Sequence, residues 1–120
     1  MTRVLLVEDH PMDALLLREE LAALGVAWTI EEVPTFAAAV TSWRGGAFEV
    51  LVVDLNLPDG QGLEVLTRAL DLASGVPVVV LSGHTHPVLT TQALALGARG
   101  YVVKGLDAAE HLRDLVAQVT

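Results

Sequence analysis

The stretch Val50-Leu-Val-Val-Asp54 decides the fold, because a run of apolar residues ends abruptly in an acid. A strand that is apolar throughout, rather than alternating, is typical of a strand buried on both faces. Parallel strands connected by helices provide that double burial. The turn-forming residues Pro58-Asp-Gly60 follow closely. We therefore predict a central parallel strand here, with the Asp54 carboxylate at its carboxyl end.

Similar apolar runs flank this one and alternate with segments of helical periodicity. After the run Arg3–Val7, for example, Ala14, Leu17 and Leu21 recur at helical spacing. The chain contains five such strand–helix units with short connections. We predict an α/β fold in which a doubly wound, five-stranded parallel sheet is flanked by five helices. The remaining predicted strands are residues 28–33, 76–81 and 100–104.

The length and composition indicate one domain over residues 1–120. Hydrophobic residues make up 52% of the chain, which is enough for a full core. The absence of cysteine excludes disulfides and thiolate chemistry and fits a reducing compartment. No apolar run reaches the length of a signal peptide or a membrane span. We expect a cytoplasmic domain that does not associate with membranes.

The charge argues against nucleic acid as a direct partner. The formal net charge is −8, from 15 acids against 7 bases. An acidic surface repels polyanions unless its bases cluster, and here the arginines are scattered along the chain. The remaining base is Lys104, the only lysine. We predict no direct binding of nucleic acid by this segment.

Several predicted strands end in a polar residue. The first is followed by Glu8-Asp9, the third ends in Asp54, the fourth is followed by Ser82 and the fifth ends in Lys104. The carboxyl ends of parallel strands lie on one edge of the sheet, where ligands bind at the point at which strand order reverses. These side chains are therefore predicted to form one site.

The residue types of this predicted site point to phosphoryl transfer. Carboxylates about 4 Å apart repel by roughly 1–4 kcal/mol per pair, so they call for a cation. Oxygen ligands of this kind suit Mg²⁺. Lys104 offers a point charge for a phosphate, and the Ser82 hydroxyl can donate to a phosphoryl oxygen. A carboxylate such as that of Asp54 can itself be the nucleophile.

Four motifs together resemble the receiver domains of response regulators in two-component signalling, the CheY-like superfamily. They are Val-Glu8-Asp9, Val-Val-Asp54-Leu-Asn-Leu-Pro-Asp-Gly, Leu-Ser82-Gly83 and Gly-Tyr101-Val-Val-Lys104. The resemblance covers essentially the whole chain, and the four motifs occur in order at the ends of the predicted strands. It implies a flavodoxin-like sheet with strand order 2-1-3-4-5.

The resemblance also implies a role for each matching residue at the acidic end of the site. Asp54 would accept the phosphoryl group. Glu8, Asp9 and Asp54 would hold Mg²⁺, for which Mn²⁺ could substitute, and the backbone carbonyl of Asn56 would complete the protein ligands.

Lys104, Ser82 and Tyr101 are the remaining matching residues. Lys104 would pair with the phosphoryl group, Ser82 would move toward it, and Tyr101 would turn inward. The phosphoryl donor would be a sensor histidine kinase or a phosphotransfer protein. The surface made by the fourth helix, fifth strand and fifth helix would then change and control an output domain, a partner or a second copy of the chain in a homodimer.

Two features depart from the family pattern or stand outside it. Lys104 is followed by Gly105 where the family often has proline with a cis peptide, so a cis bond is in doubt here. The four histidines have no ligand spacing on one helix and are interpreted as surface residues; they are His10, His84, His86 and His111.

Three other functions compete with a receiver, which we expect to be a signalling module rather than an enzyme. An Mg²⁺-dependent phosphatase with an aspartyl-phosphate intermediate usually has a second Asp where this chain has Asn56. A flavin-binding electron carrier needs a phosphate-cradling loop after the first strand, where Glu8 and Asp9 would repel a phosphate. A degenerate receiver that binds partners without phosphorylation would not need the intact acid set or Lys104.

Overall fold

A computed structural model of the chain describes residues 2–105 and 107–119. Its main sheet has five parallel strands in the order β2-β1-β3-β4-β5, which confirms the predicted fold and strand order. The strands are β1 (Arg3–Val7), β2 (Thr29–Val33), β3 (Val50–Asp54), β4 (Val78–Ser82) and β5 (Gly100–Val103).

Five helices connect and follow these strands. They are α1 (Pro11–Ala23), α2 (Phe36–Gly45), α3 (Leu63–Ala73), α4 (Pro87–Leu96) and α5 (Ala108–Val119). Proline stands in the first turn of both α1 and α4, where its missing N–H costs nothing. The Thr35 hydroxyl caps α2 by accepting a hydrogen bond from the Ala38 N–H at 3.1 Å.

The core lies on both faces of the sheet because successive strand residues point in opposite directions. In β1, Val4 and Leu6 pack with α1 and α5, whereas Leu5 and Val7 pack with α2, α3 and α4. All four side chains are at most 2% exposed. Full burial of each contributes roughly 1.5–3 kcal/mol, so the central strands hold both helical layers in place.

The edge strand β2 is built differently from the central strands. Its residues Glu31 and Glu32 are exposed, and Arg18 of α1 pairs with Glu32 at 3.0 Å. Only Val33 of this strand is fully buried. With two acids among its five residues, β2 has a less continuous apolar pattern in the sequence than β1 or β3.

The predicted strands 28–33, 76–81 and 100–104 differ from the observed ones by one or two residues at one or both ends, and one connection contains an unpredicted element. The fourth strand begins at Val78 rather than at residue 76, and Pro77 before it contributes only its carbonyl, which accepts from the Leu51 N–H at 3.0 Å. The connection after β3 contains a small antiparallel hairpin, Asn56–Leu57 with Gly60–Gln61, that was not predicted. This hairpin fixes the backbone next to Asp54.

The strand register brings the carboxyl ends to one edge of the sheet. Val7 lies opposite Val53 in β3, and Asp54 lies opposite Leu81 in β4. Ser82 lies opposite Val103, so Lys104 begins the connection that follows β5. Strand order reverses between β1 and β3, and the acids after these two strands therefore flank the crevice that α/β sheets use for ligands.

Candidate functional site

Asp54 is the central side chain of this edge and is only 4% exposed. Its Oδ1 accepts a hydrogen bond from the Asn56 N–H at 2.8 Å, and its Oδ2 accepts one from Lys104 Nζ at 2.8 Å. Burying a carboxylate is costly unless it is paired and hydrogen-bonded, and both conditions are met. The side chain still lines an open cleft of about 510 Å³, so a reactant can reach it.

Lys104 joins three carboxylates at this edge. Its Nζ lies 2.8 Å from Asp54 Oδ2, 3.0 Å from Asp13 Oδ2 and 2.5 Å from Glu8 Oε1. The first two contacts are aligned hydrogen bonds, and the contact with Glu8 is an ion pair without that alignment. Burial by itself would lower the pKa of Lys104, but the three carboxylates outweigh it and raise the pKa above its usual range.

Glu8 and Asp9 supply the other acidic oxygens. The Glu8 side chain is fully buried, and burial raises its pKa even though Lys104 and the His10 N–H act in the opposite direction. Among the described residues, Glu8 Oε1 and Asp9 Oδ1 are buried oxygens with no aligned hydrogen-bond donor. Such oxygens are normally satisfied by a donor, a water or a metal ion. Glu8 Oε1 contacts Lys104 and Asp9 Oδ1 contacts His10, and each carboxylate oxygen keeps a lone pair for a further ligand.

The donor set fits a hard divalent cation. Oxygens of Glu8, Asp9 and Asp54 and a ring nitrogen of His10 lie within 4.8 Å of one another. Carboxylate oxygens suit Mg²⁺ and Mn²⁺, which take few protein ligands and keep several waters. The three carboxylates predicted as metal ligands are thus brought together.

His10 is closer to the acids than its interpretation as a surface histidine suggests. Its Nδ1 lies 3.2 Å from Glu8 Oε2 and 3.1 Å from Asp9 Oδ1. The contact with Glu8 is the main cause of a raised pKa of His10, and the charge of Asp9 adds to it. No ligand spacing in the sequence signals this contact, which arises because the chain turns from β1 into α1 at His10.

The two predicted switch residues meet at one backbone carbonyl. The Ser82 hydroxyl and the Tyr101 hydroxyl each donate to the His84 carbonyl at 3.3 Å. The Ser82 hydroxyl also accepts from the His84 N–H at 3.3 Å. Ser82 lines the cleft with Asp54 and Lys104, and Tyr101 is inward, only 7% exposed. The β4–α4 connection therefore links the cleft to β5.

Asp59 was predicted only as a turn residue, yet it holds the site's loop to a helix. Its Oδ1 accepts from the Phe36 N–H at 2.9 Å and its Oδ2 from the Ala37 N–H at 3.0 Å. These two donors belong to the first turn of α2 and lack partners within the helix. The bond from Phe36 is the main cause of a lowered pKa of Asp59. Asn56, which precedes Asp59 in the same connection, is thereby held beside Asp54.

Asp13 is a second residue that sequence reasoning missed. It lies in the first turn of α1, where an acid is favourable for the helix dipole alone, so its local sequence gives no signal of a site. Its contact with Lys104 joins residues 91 positions apart. Only the packing of α1 against α5, the helix that follows β5, brings them together.

Two further features bear on the sequence predictions. The described residues contain no cis peptide, so the Lys104–Gly105 bond is trans. Within residues 2–105 and 107–119, every helix is too short or too polar to span a bilayer.

Comparison with known families gives a match over nearly all of the chain. A family model described as the response regulator receiver domain matches residues 4–117. A transcriptional regulatory protein of Salmonella typhimurium, UhpA, is 35% identical over 108 residues, which are 87% of this chain and 52% of that protein. The DNA-binding transcriptional activator DevR/DosR of Mycobacterium tuberculosis is 30% identical over 120 residues, 98% of this chain and 55% of that protein. The chain thus spans about half the length of these curated relatives.

Solved structures agree on the fold. The chemotaxis response regulator CheY4 of Vibrio cholerae superposes with a TM-score of 0.80 at 24% identity, covering 100% of this chain and 99% of that one. The RcsB response regulator of Salmonella typhimurium gives a TM-score of 0.86 at 21% identity, covering 98% of this chain and 59% of that one. At these identities the likeness extends to the fold alone.

Proposed function

The chain belongs to the response regulator receiver domain family, and on that basis we propose that its Asp54 accepts a phosphoryl group. The observation that carries the proposal is the geometry of Asp54, a buried carboxylate on an open cleft with one oxygen on the Lys104 ammonium. A carboxylate held between a cation and a backbone N–H is oriented for attack while its charge is balanced.

The transfer follows from these contacts. An Asp54 oxygen attacks the phosphorus of a phosphohistidine or of a small acyl phosphate. The new O–P bond forms as the P–N or P–O bond of the donor breaks, and the leaving group departs with the bonding electrons. Lys104 turns one N–H from the carboxylate to a phosphoryl oxygen, since a phosphoryl transition state needs mainly positioning and neutralisation.

Glu8, Asp9 and Asp54, with the backbone carbonyl of Asn56, are the residues we assign to Mg²⁺. The buried oxygens Glu8 Oε1 and Asp9 Oδ1, which accept no aligned hydrogen bond, support this assignment. The ion, when bound, would neutralise charge on the phosphoryl oxygens. Mn²⁺ is an acceptable substitute, because carboxylate and carbonyl oxygens suit it as they suit Mg²⁺.

Ser82 and Tyr101 are proposed to carry the signal away from the site. A phosphoryl oxygen on Asp54 would draw the Ser82 hydroxyl from the His84 carbonyl, leaving Tyr101 as that carbonyl's remaining side-chain donor. The balance between two arrangements of the β4–α4 connection would then shift. The surface formed by α4, β5 and α5 is the proposed readout, and its partner is an output domain, another protein or a second copy of the chain.

The proposed partners upstream are a sensor histidine kinase or a phosphotransfer protein. Downstream, both relatives described above carry names of transcription regulators, which supports control of transcription as the output. The net charge of −8 argues that this domain acts on a DNA-binding partner rather than on DNA itself. We propose a signalling module rather than an enzyme with a separate substrate.

The test is phosphorylation of the purified chain by acetyl phosphate with Mg²⁺, followed by intact-mass spectrometry. We expect one phosphoryl group on the wild type and none on Asp54→Asn. Asp71→Asn is the matched control, because it makes the same substitution at an exposed acid of α3 outside the site, and it should be modified like the wild type. Chelation of Mg²⁺ should abolish modification. Equal modification of Asp54→Asn and the wild type would refute the proposal.

A further inference from the structure

Asp13 touches the site but has no role in the function proposed above. Its Oδ2 accepts a hydrogen bond from Lys104 Nζ at 3.0 Å, next to the bond from Lys104 to Asp54 Oδ2 at 2.8 Å. The Asp13 side chain is 40% exposed, whereas those of Glu8 and Asp54 are 0% and 6% exposed. Asp13 therefore lies at the rim of the site, on the side formed by α1.

A helix-terminal acid does not require such a partner. An acid in the first turn stabilises a helix through the dipole wherever its side chain points. Asp13 instead meets the one cation of the chain that the site depends on, and that contact crosses from α1 to the residue after β5. The contact is thus a separate observation from the position of Asp13 on its helix.

The flexibility of the lysine side chain explains how the contact between Asp13 and Lys104 can matter for the reaction. An ammonium is a point charge on a long flexible stem with three donors, so one partner does not fix its direction. Asp54 and Asp13 hold Nζ from two different elements. When Lys104 turns an N–H toward a phosphoryl oxygen, the bond to Asp13 is the aligned contact that does not involve the reacting carboxylate.

We propose that Asp13 is a positioning residue that fixes the Lys104 ammonium against Asp54 for phosphoryl transfer. Asp13 acts through Lys104 and touches neither the phosphoryl group nor the metal. This inference rests on the proposed function, because it concerns the rate of the reaction assigned to Asp54.

The single lysine makes the proposal directly measurable. In protein labelled with ¹³C-lysine, Lys104 gives the only side-chain Cε signal. We compare wild type, Asp13→Asn, Asp13→Glu and a matched control, Glu19→Gln, which removes one charge from an exposed position of the same helix. The Lys104 signal and the rate of phosphorylation by acetyl phosphate with Mg²⁺ are measured for each.

We expect Asp13→Asn to shift the Lys104 signal and to slow phosphorylation by about 10-fold to 100-fold, the upper figure being the loss that a misplacement of about 1 Å can cause. Asp13→Glu keeps the charge but moves the carboxylate, so its signal and rate should fall between those of Asp13→Asn and the wild type. Glu19→Gln should match the wild type in both. Asp13→Glu also keeps the test decisive if Asp13→Asn fails to fold.

An unchanged Lys104 signal in both Asp13 variants would overturn the proposal, whatever the rate. A shifted signal with a wild-type rate would overturn it as well, because Lys104 would then act without Asp13. These outcomes presuppose a wild type that is phosphorylated. A wild type that is never modified would instead refute the function assigned to Asp54.

Discussion

Asp54 ends β3 and Asp59 lies in the connection that follows it, but the two carboxylates are satisfied in opposite ways. Asp54 is buried and pairs with a side-chain cation, Lys104, which can turn toward another anion. Asp59 is exposed and accepts hydrogen bonds from two backbone N–H groups at the start of α2. These donors are fixed in position by the helix. A mobile counter-charge suits a carboxylate that must react, and a fixed one suits a carboxylate that holds a loop.

The comparison implies different costs for removing the partner of each acid. A buried acid that loses its cation destabilises the fold, because its charge remains out of water without a partner. An exposed acid that loses its cation is hydrated instead, so the free energy of unfolding changes little. The partners of Asp59 are backbone N–H groups, which no substitution removes. The testable change is therefore the removal of Asp59 itself, which leaves α2 without an acceptor for its first N–H groups. The three predictions below separate these cases by the free energy of unfolding.

The largest effect is expected from removing the mobile cation. Lys104→Met leaves Glu8 and Asp54 buried without their ammonium and should lower the free energy of unfolding by about 3 kcal/mol, measured by urea denaturation without divalent metal. Arg18→Met, which breaks the exposed pair with Glu32, is the control and should cost less than about 1 kcal/mol.

A double variant shows whether the stability lost in Lys104→Met comes from leaving Glu8 and Asp54 without a cation. Adding Glu8→Gln to Lys104→Met removes the most deeply buried charge and should recover part of the lost stability. If Lys104→Met were as stable as Arg18→Met, the acids would not depend on Lys104, and the contrast between Asp54 and Asp59 would fail.

A smaller loss of stability is expected from removing Asp59, whose partners are backbone N–H groups. Asp59→Ala leaves the first two N–H groups of α2 without their carboxylate and should lower the free energy of unfolding by about 1 kcal/mol, the usual cost of a lost helix cap. Asp71→Asn, an exposed acid of α3, is the charge control and should remain close to the wild type. A wild-type midpoint for Asp59→Ala would mean that water replaces the carboxylate without cost.

The same contrast explains what the sequence could predict. Glu8, Asp54 and Ser82 are visible because apolar strands end at them, and parallel topology brings strand ends together without further information. Asp59 and Asp13 each have a sufficient local explanation, one as a turn residue and one as a helix-terminal acid. Their partners, Phe36 and Lys104, are set by how helices pack on the sheet, which no local pattern records.

His10 illustrates the same limit at short range. It directly follows two predicted metal ligands, yet the absence of a ligand spacing favoured a surface role. The position of its ring depends on the backbone turn between β1 and α1, where His10 is extended and precedes Pro11. Ring orientation at such a turn follows from tertiary packing rather than from residue order.

The smallest and most discriminating effect is a difference in pH dependence between Glu8 and Asp59. Burial raises the pKa of Glu8 above its ordinary value of 4.5, whereas the hydrogen bond from the Phe36 N–H lowers the pKa of Asp59 below its ordinary value of 3.8. The folded protein therefore binds a proton on Glu8 before the unfolded chain does, so the wild type should gain stability relative to Glu8→Gln as pH falls from neutral toward 4.5.

Asp59 should behave with the opposite sign and at lower pH. Its contribution is fully present above pH 3.8 and is lost as pH falls through the lowered pKa of the folded state, so the advantage of wild type over Asp59→Asn should shrink there. Urea unfolding of the three proteins across this range, at constant ionic strength and with chelator, gives both difference curves, each with a slope of at most about 1.4 kcal/mol per pH unit. Curves of the same sign would show that the two carboxylates are satisfied alike, because only opposite partners shift the two pKa values in opposite directions.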